Sequence, residues 1–432
     1  MTDARDEPDN AAQARRAPGP RPRWVRDIAC FLAAQAFSLF GSSVVGYAVI
    51  WYLVGNATAT VYAGGMVAAM LPQGLISIFG GVWADRHNRK WLVIGADAAI
   101  AVATIGLAVL MFRGTAPLAV IFAVLVLRSL GAGVQTPAVG GMVAQIVPTE
   151  HLMRVNSINA TLQPIIFLVS PAVAAYLFSV LPLHWIFLID PIGAAIAIAL
   201  TLTIPLTKVA RPDGDTPPNY RQDLKAGLLF VWGRRDLRRI MWLLVVTFLV
   251  LVPAGNLLPV AIQQEFGGDT WKLAAVEIAW SAGMMAGGAV LAVWGGLKNR
   301  MAMILASTYA MVGFTLGLGL SHWLWVLVAV TAVYGLVTPF FWTTAMTAVQ
   351  ETVEPHYQGR VLSLATLVMA LAAPLGVIVF GPLADRFSIF TVFWACGLIG
   401  LAATAALSAK LPPLAPVLDK PVPDKPVPNK DA

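Results

Sequence analysis

Long apolar runs separated by short polar breaks fill most of the 432-residue chain. Six runs lie near residues 28–53, 61–83, 92–112, 117–143, 155–180 and 185–206, and six more near 240–263, 272–294, 302–320, 323–347, 361–383 and 388–409. Each is close to the roughly 20 residues that carry a helix across the hydrocarbon layer. Alternating segments of about ten residues, the signature of a membrane barrel, are absent from these runs. The pattern predicts an all-α membrane protein of twelve transmembrane helices.

The polar stretch at 207–238 divides the runs six and six. It opens with Arg211-Pro212-Asp213-Gly214-Asp215-Thr216-Pro217-Pro218, which is loop chemistry. Tyr220, Leu224, Leu228, Phe230, Val231 and Trp232 then alternate with Arg221, Lys225, Arg234, Arg235, Arg238 and Arg239, predicting an interfacial amphipathic helix. Weak echoes relate the halves. Arg26-Asp27-Ile28 is matched by Arg238-Arg239-Ile240, Asn88-Arg89 by Asn299-Arg300, and Arg154-Val155 by Arg360-Val361. The near-constant offset indicates a duplicated six-helix unit, and such parallel repeats place a substrate site between the halves near the midplane. Ala84-Asp85-Arg86 also recurs as Ala384-Asp385-Arg386, but on the opposite membrane face, where a helix-end polar turn is expected. The expected organisation is a disordered cytoplasmic tail over 1–26, bundles over 27–206 and 239–410 joined by a cytoplasmic linker at 207–238, and a proline-rich tail over 411–432. The last carries Asp419-Lys420-Pro421-Val422-Pro423 and its repeat from Asp424, which favour polyproline II.

Composition supports the membrane assignment: 12% of residues are charged, against about 25% in soluble domains. The net charge of +7 suggests a polyanion partner until the bases are placed. With the N-terminus inside, only Arg113, Lys272 and Arg386 fall outside and Arg128 within a span; the other 25 of 29 are cytoplasmic. That asymmetry is the positive-inside rule, so the basic balance reports topology, with both termini cytoplasmic and no nucleic-acid partner. Cys30 and Cys396 each lie within a span at no metal or redox spacing, and are expected to be buried free thiols. No phosphate-binding loop or H-E-x-x-H helix occurs, which excludes ATP use and zinc chemistry of those kinds.

Gly81-Val82-Trp83-Ala84-Asp85-Arg86-His87-Asn88-Arg89-Lys90 resembles motif A of the major facilitator superfamily, G-x-L-a-D-r-x-G-r-k, with Asn88 for the second glycine. Arg128-Ser129-Leu130-Gly131-Ala132-Gly133 resembles its motif B. Ile94-Gly95-Ala96-Asp97, Val147-Pro148-Thr149-Glu150-His151-Leu152, Ser170-Pro171-Ala172-Val173-Ala174-Ala175 and Ile189-Asp190-Pro191-Ile192-Gly193 are similar to the bacterial macrolide-efflux branch and its siderophore-exporter relatives. The resemblance covers about 25–410 and implies two pseudo-symmetric six-helix bundles, drug:proton antiport and no cofactor beyond the proton gradient. At motif C, Ser170-Pro171-Ala172-Val173-Ala174-Ala175 stands where the family's G-P-x-x-G-G is usual, which weakens the export signature.

The same resemblance makes Gly81, Asp85, Arg86, Arg89 and Lys90 a conformational latch, with Asp85 facing the start of span eleven near Gly359 and Arg360; a static topogenic loop is the alternative. Four ionisable groups lie within spans, each at a cost of about 2.5–3.5 kcal/mol at mid-helix on insertion scales: Asp97, Arg128, Asp190 and Glu277. All are candidates for proton coupling. Asp97 is alternatively a structural partner of the Asp85 loop or Arg154, and Arg128 of a structural ion pair. Asp190, before Pro191, has the pattern of a helix N-cap. Glu277 is alternatively a water-facing group at a cavity mouth. By analogy, spans one, four, seven and ten line the cavity and supply Gln35, Ser38, Tyr47, Gln135, Thr136, Asn256, Phe340, Phe341 and Trp342, with Gln163 in span five a further candidate. Aromatic walls with scattered amides suit a large amphipathic organic molecule. The expected protein is a monomeric, multi-pass exporter of a macrolide-like drug or metabolite in the bacterial plasma membrane. Export of an endogenous siderophore or lipid-like metabolite is the alternative, and a non-transporting scaffold or sensor using the proline-rich tail is a different class.

Overall fold

A computed structural model describes residues 23–114, 116–205, 220–353 and 355–409. Among them, twelve helices are long and apolar enough to cross a membrane. Spans one to six are Trp24–Asn56, Ala59–Ser77 (the helix itself runs to Arg86), Arg89–Phe112, Leu118–Ile146, Leu152–Val180 and Leu183–Leu202. Spans seven to twelve are Arg235–Glu265, Thr270–Trp294, Arg300–Gly319, Leu324–Thr352, Tyr357–Arg386 and Ile389–Ser408. The expected all-α, twelve-span architecture is therefore present. Two spans are not continuous helices. Span six breaks at Leu188, between Leu183–Phe187 and Ile189–Leu202. Span seven passes through a π-turn at Thr247–Leu251 and two short helices, Val252–Asn256 and Leu258–Glu265, each with proline near its start. π-turns and proline are the usual origins of such interruptions.

The chain divides into two compact units: Met1–Ala57 with Gly64–Asp215, and Thr58–Ala63 with Thr216–Ala432. In the first, span one packs against spans five and six, and span three against spans four and six. Apolar chains give no hydrophobic drive inside lipid, so close backbone approach through small residues replaces it. A Cβ at Gly193 would lie 2.6 Å from the Phe37 carbonyl oxygen, which fixes span six against span one.

In the second unit, span eight packs on span ten and span nine on spans ten and twelve. A Cβ at Gly283 would lie 2.0 Å from the Ala332 oxygen, and one at Gly287 2.1 Å from the Leu336 oxygen. The linker helix, Tyr220–Gly233, is not wholly interfacial as its pattern suggests. Phe230 stacks on Tyr357 at 4.6 Å and Val231 is fully buried, while Leu228, Leu229 and Trp232 are exposed. The bundle competes for one apolar face of this helix, and the other remains open. The thiols are free, but only Cys396 is buried; Cys30 is half-buried.

Asp385 does more than end a helix. It accepts from the backbone N–H groups of Ala59 (2.6 Å) and Thr60 (2.8 Å) and from the Thr60 hydroxyl. A carboxylate satisfies the orphan donors at a helix start and the positive end of its dipole. This bond explains why the first turn of span two, residues 58–63, belongs with the second unit.

Candidate functional site

The polar turn after span two is held by its bases. Asn88 caps the next helix, its side chain accepting from the Lys90 N–H at 3.1 Å. Arg89 donates to the Gly141 carbonyl in span four at 2.9 Å. Lys90 Nζ donates to the carbonyls of Leu202 (2.9 Å) and Ile204 (2.8 Å) at the end of span six. Both cations thus sit on main-chain oxygens, and Lys90 completes a helix C-terminus. Gly81 and the side chains of Asp85 and Arg86 lie outside the described residues.

Within the first unit, four spans converge on an ion pair. Arg128 of span four meets Asp190 of span six, and their side chains are 12% and 2% exposed. Ser42 Oγ of span one donates to Asp190 Oδ1 at 2.7 Å. Thr104 Oγ1 of span three lies 3.0 Å from Asp190 Oδ2 and accepts from Arg128 at 2.7 Å. Arg128 also donates to the Ser42 carbonyl at 3.1 Å. Each charge is therefore neutralised and supported by further hydrogen bonds from neighbouring spans, the condition under which a buried pair is tolerated. The N-cap expectation for Asp190 fails for a local reason. The helix starts at Ile189 with Leu188 at the cap, which puts Asp190 inside the first turn, aimed across the bundle instead of back along its own backbone.

Asp97 is different. It is 3% exposed, and its hydrogen-bond partners among the described residues are both neutral: Ser38 Oγ donates to Oδ1 at 2.7 Å and Gln135 Nε2 at 2.9 Å. Among the described residues, neither Arg89 and Lys90 of the motif A turn nor Arg154 supplies the partner expected for it. One turn before Ser38, Gln35 is buried with its Nε2 lacking a hydrogen-bond partner among the described residues. The first unit thus brings Gln35, Ser38, Asp97 and Gln135 onto facing spans one, three and four. It sets this carboxyl apart from one whose charge is already matched. Ser42 and Thr104 were not recognised from the sequence as partners of the ion pair. Their hydroxyls carry no distinguishing pattern, and only the crossing of spans one, three and six reveals them.

Glu277 and Asn256 share a cavity in the second unit. Both line a cavity of about 150 Å³ among spans seven to ten, together with Trp280, Met311, Tyr334 and Thr338. Tyr62, from the first turn of span two, donates to the Asn256 carbonyl at 2.8 Å. The remaining candidates scatter. Gln163 is exposed on span five, and Tyr47 is half-buried on span one. Trp342 is 37% exposed and contacts Phe248 edge-on at 6.1 Å. Phe341, expected to line a substrate cavity, is instead a core residue at 2% exposure.

Residues 31–376 and 298–431 match the family profile described as Major Facilitator Superfamily. The chain belongs to the Major Facilitator Superfamily. Macrolide efflux protein A of Streptococcus pyogenes is 32% identical over 370 residues, covering 85% of this chain and 91% of that one. The multidrug efflux pump Tap of Mycobacterium tuberculosis is 26% identical over 364 residues, covering 80% and 84%. A POT family transporter solved in complex with a thioalcohol-conjugated peptide superposes with a TM-score of 0.70 at 14% identity, covering 89% of this chain and 96% of that one. At that identity the superposition speaks for the fold alone. This Major Facilitator Superfamily chain is accordingly a multi-pass secondary transporter of small molecules, related to macrolide and multidrug efflux pumps, and not an enzyme.

Proposed function

We propose that the protein exports an amphipathic, macrolide-like organic molecule across a bacterial plasma membrane by proton antiport, with Asp97 as the proton carrier. The observation that carries this reading is the contrast between two buried carboxyls of one bundle. Asp190 is matched by Arg128, so gaining a proton would leave a buried guanidinium uncompensated. Asp97 is bonded by Ser38 and Gln135, which donate without supplying charge. Proton uptake there removes a buried charge and lets the carboxyl become a donor. Coupling follows if the two transport states differ in their affinity for that proton, since a ligand shifts a conformational equilibrium only by its differential affinity. Support for the substrate class comes from the 32% identity to a protein named for macrolide efflux. The positive-inside bias supports cytoplasmic termini. Arg89 and Lys90 hold the motif A turn against spans four and six, consistent with a latch that moves with the first unit as one body.

The test is uptake of a radiolabelled macrolide into inside-out proteoliposomes containing the purified protein, with an imposed pH gradient, acidic inside. The expected result is accumulation that collapses on adding a protonophore. Equal uptake with and without the gradient would contradict proton antiport, and no uptake of any amphipathic drug would contradict export.

A further inference from the structure

The linker helix, Tyr220–Gly233, has two unlike faces. At about 100° per residue, Lys225, Leu228, Leu229 and Trp232 fall within an arc of about 100°, and all four are exposed. Gly227, Phe230 and Val231 occupy the opposite side and anchor the helix to the second unit. A Cβ at Gly227 would lie 3.1 Å from the Arg360 carbonyl oxygen, Phe230 stacks on Tyr357, and Val231 is fully buried. The sequence pattern offers every base of this stretch to headgroups, but the fold engages several of them internally. Arg234 lies over the Phe230 ring and donates to the Thr352 carbonyl at 3.3 Å. Arg238 donates to the Trp232 carbonyl at 3.1 Å, and Arg239 stands 4.0 Å from Asp236. Lys225 and Arg235 are exposed and have no partner among the described residues. Depth in the membrane is set by the chain itself. Only Arg234 separates the helix from span seven, and its anchored side meets the end of span ten and the start of span eleven. The helix therefore lies at the membrane surface, where an apolar stripe with tryptophan and flanking bases is suited to the interface.

We propose that this open face docks on acidic phospholipid of the adjacent leaflet. Leu228, Leu229 and the Trp232 indole enter the boundary between headgroups and acyl chains, and Lys225 and Arg235 each take a lipid phosphate. The two bases are ten residues apart, a separation of up to about 15 Å along a helix, which calls for two headgroups. A zwitterionic headgroup carries its own cation beside the phosphate, whereas a net negative surface favours each nearby base by about fivefold. A soluble protein partner fits less well, because three apolar side chains make a small patch for a stable interface. Since Gly227 and Phe230 fix the helix to the second unit, this lipid contact also sets the depth of that unit. The inference is independent of the substrate and of the coupling ion.

The test reads depth and needs no transport. Full-length protein carrying Leu229→Cys in a Cys30→Ser, Cys396→Ala background is labelled with a nitroxide and placed in lipid nanodiscs. Accessibility of the label to oxygen, which favours the acyl region, is compared with accessibility to a neutral, water-soluble nickel complex. The oxygen-to-nickel ratio is expected to rise at least about fivefold from pure phosphatidylcholine to a mixture of about 3:1 with phosphatidylglycerol. It is expected to fall back in about 1 M sodium chloride, where the screening length shrinks to about 3 Å; this arm needs no further substitution. Lys225→Gln with Arg235→Gln should make the ratio independent of lipid composition, while Lys298→Gln, at an exposed base on another loop, should leave the dependence intact. A label buried equally in both lipids would overturn the proposal, because the contact would then be apolar without recognition of charge. A label open to the nickel complex in both would overturn it too, leaving the face to a soluble partner. Persistence of the composition dependence in the Lys225/Arg235 double variant, or its loss in Lys298→Gln, would equally contradict the assignment of those two bases.

Discussion

Arg128 and Asp190, 62 residues apart in sequence, neutralise each other inside the first unit, with Ser42 and Thr104 adding hydrogen bonds to the pair. That pairing makes the reading of the site asymmetric. It assigns one buried carboxyl to holding the bundle together and leaves Asp97, bonded by Ser38 and Gln135, for reversible protonation.

The pair should behave as a unit. Arg128→Met or Asp190→Asn alone strands the other partner in a buried setting, and each is expected to cost about 3–5 kcal/mol. The double variant is expected to cost much less than the sum, because no unmatched charge remains. Thermal unfolding of the four proteins in detergent checks this; additive losses would show that the two groups do not interact.

The contact between spans eight and ten should tolerate no side chain at its centre. A Cβ at Gly283 would stand 2.0 Å from the Ala332 oxygen, whereas one at Gly288 meets nothing within 4 Å. Gly283→Val is expected to abolish recovery of monodisperse protein, and Gly288→Ala to leave it unchanged. Size-exclusion chromatography after solubilisation distinguishes the two outcomes.

Asp385 should control the start of span two. Replacing it with alanine removes the acceptor for the Ala59 and Thr60 amides, a loss of about 1 kcal/mol by comparison with other helix caps. Hydrogen exchange across residues 59–60 is expected to accelerate several-fold in Asp385→Ala, while exchange in the centre of span two is unchanged. Equal exchange in both proteins would mean that another group caps this helix.

Much of the fold was legible in the sequence because the bilayer imposes its own length on each run. Twelve apolar segments near 20 residues leave few alternatives. The interruptions in spans six and seven were not legible: hydropathy is blind to backbone register, and Leu188 and Thr247–Leu251 are as apolar as their neighbours. Candidate charges stood out because so few occur within spans, but their partners did not. Asp190-Pro191 has the local pattern of a cap, and only tertiary packing turns the carboxylate toward Arg128. Asp97 and Ser38 lie 59 residues apart, and nothing in either segment announces the bond. Asp385 was set aside as a polar turn because its donors, Ala59 and Thr60, lie more than 300 residues earlier.

Asp97→Asn tests the central claim most directly. The substitution keeps a side chain of the same shape, able to accept from Ser38 and Gln135, and removes only the exchangeable proton. In proteoliposomes with a pH gradient, the variant is expected to lose gradient-driven macrolide accumulation while retaining substrate exchange down its own gradient at near wild-type rates. Gradient-driven accumulation by Asp97→Asn equal to that of wild type would contradict the assignment of Asp97 as proton carrier.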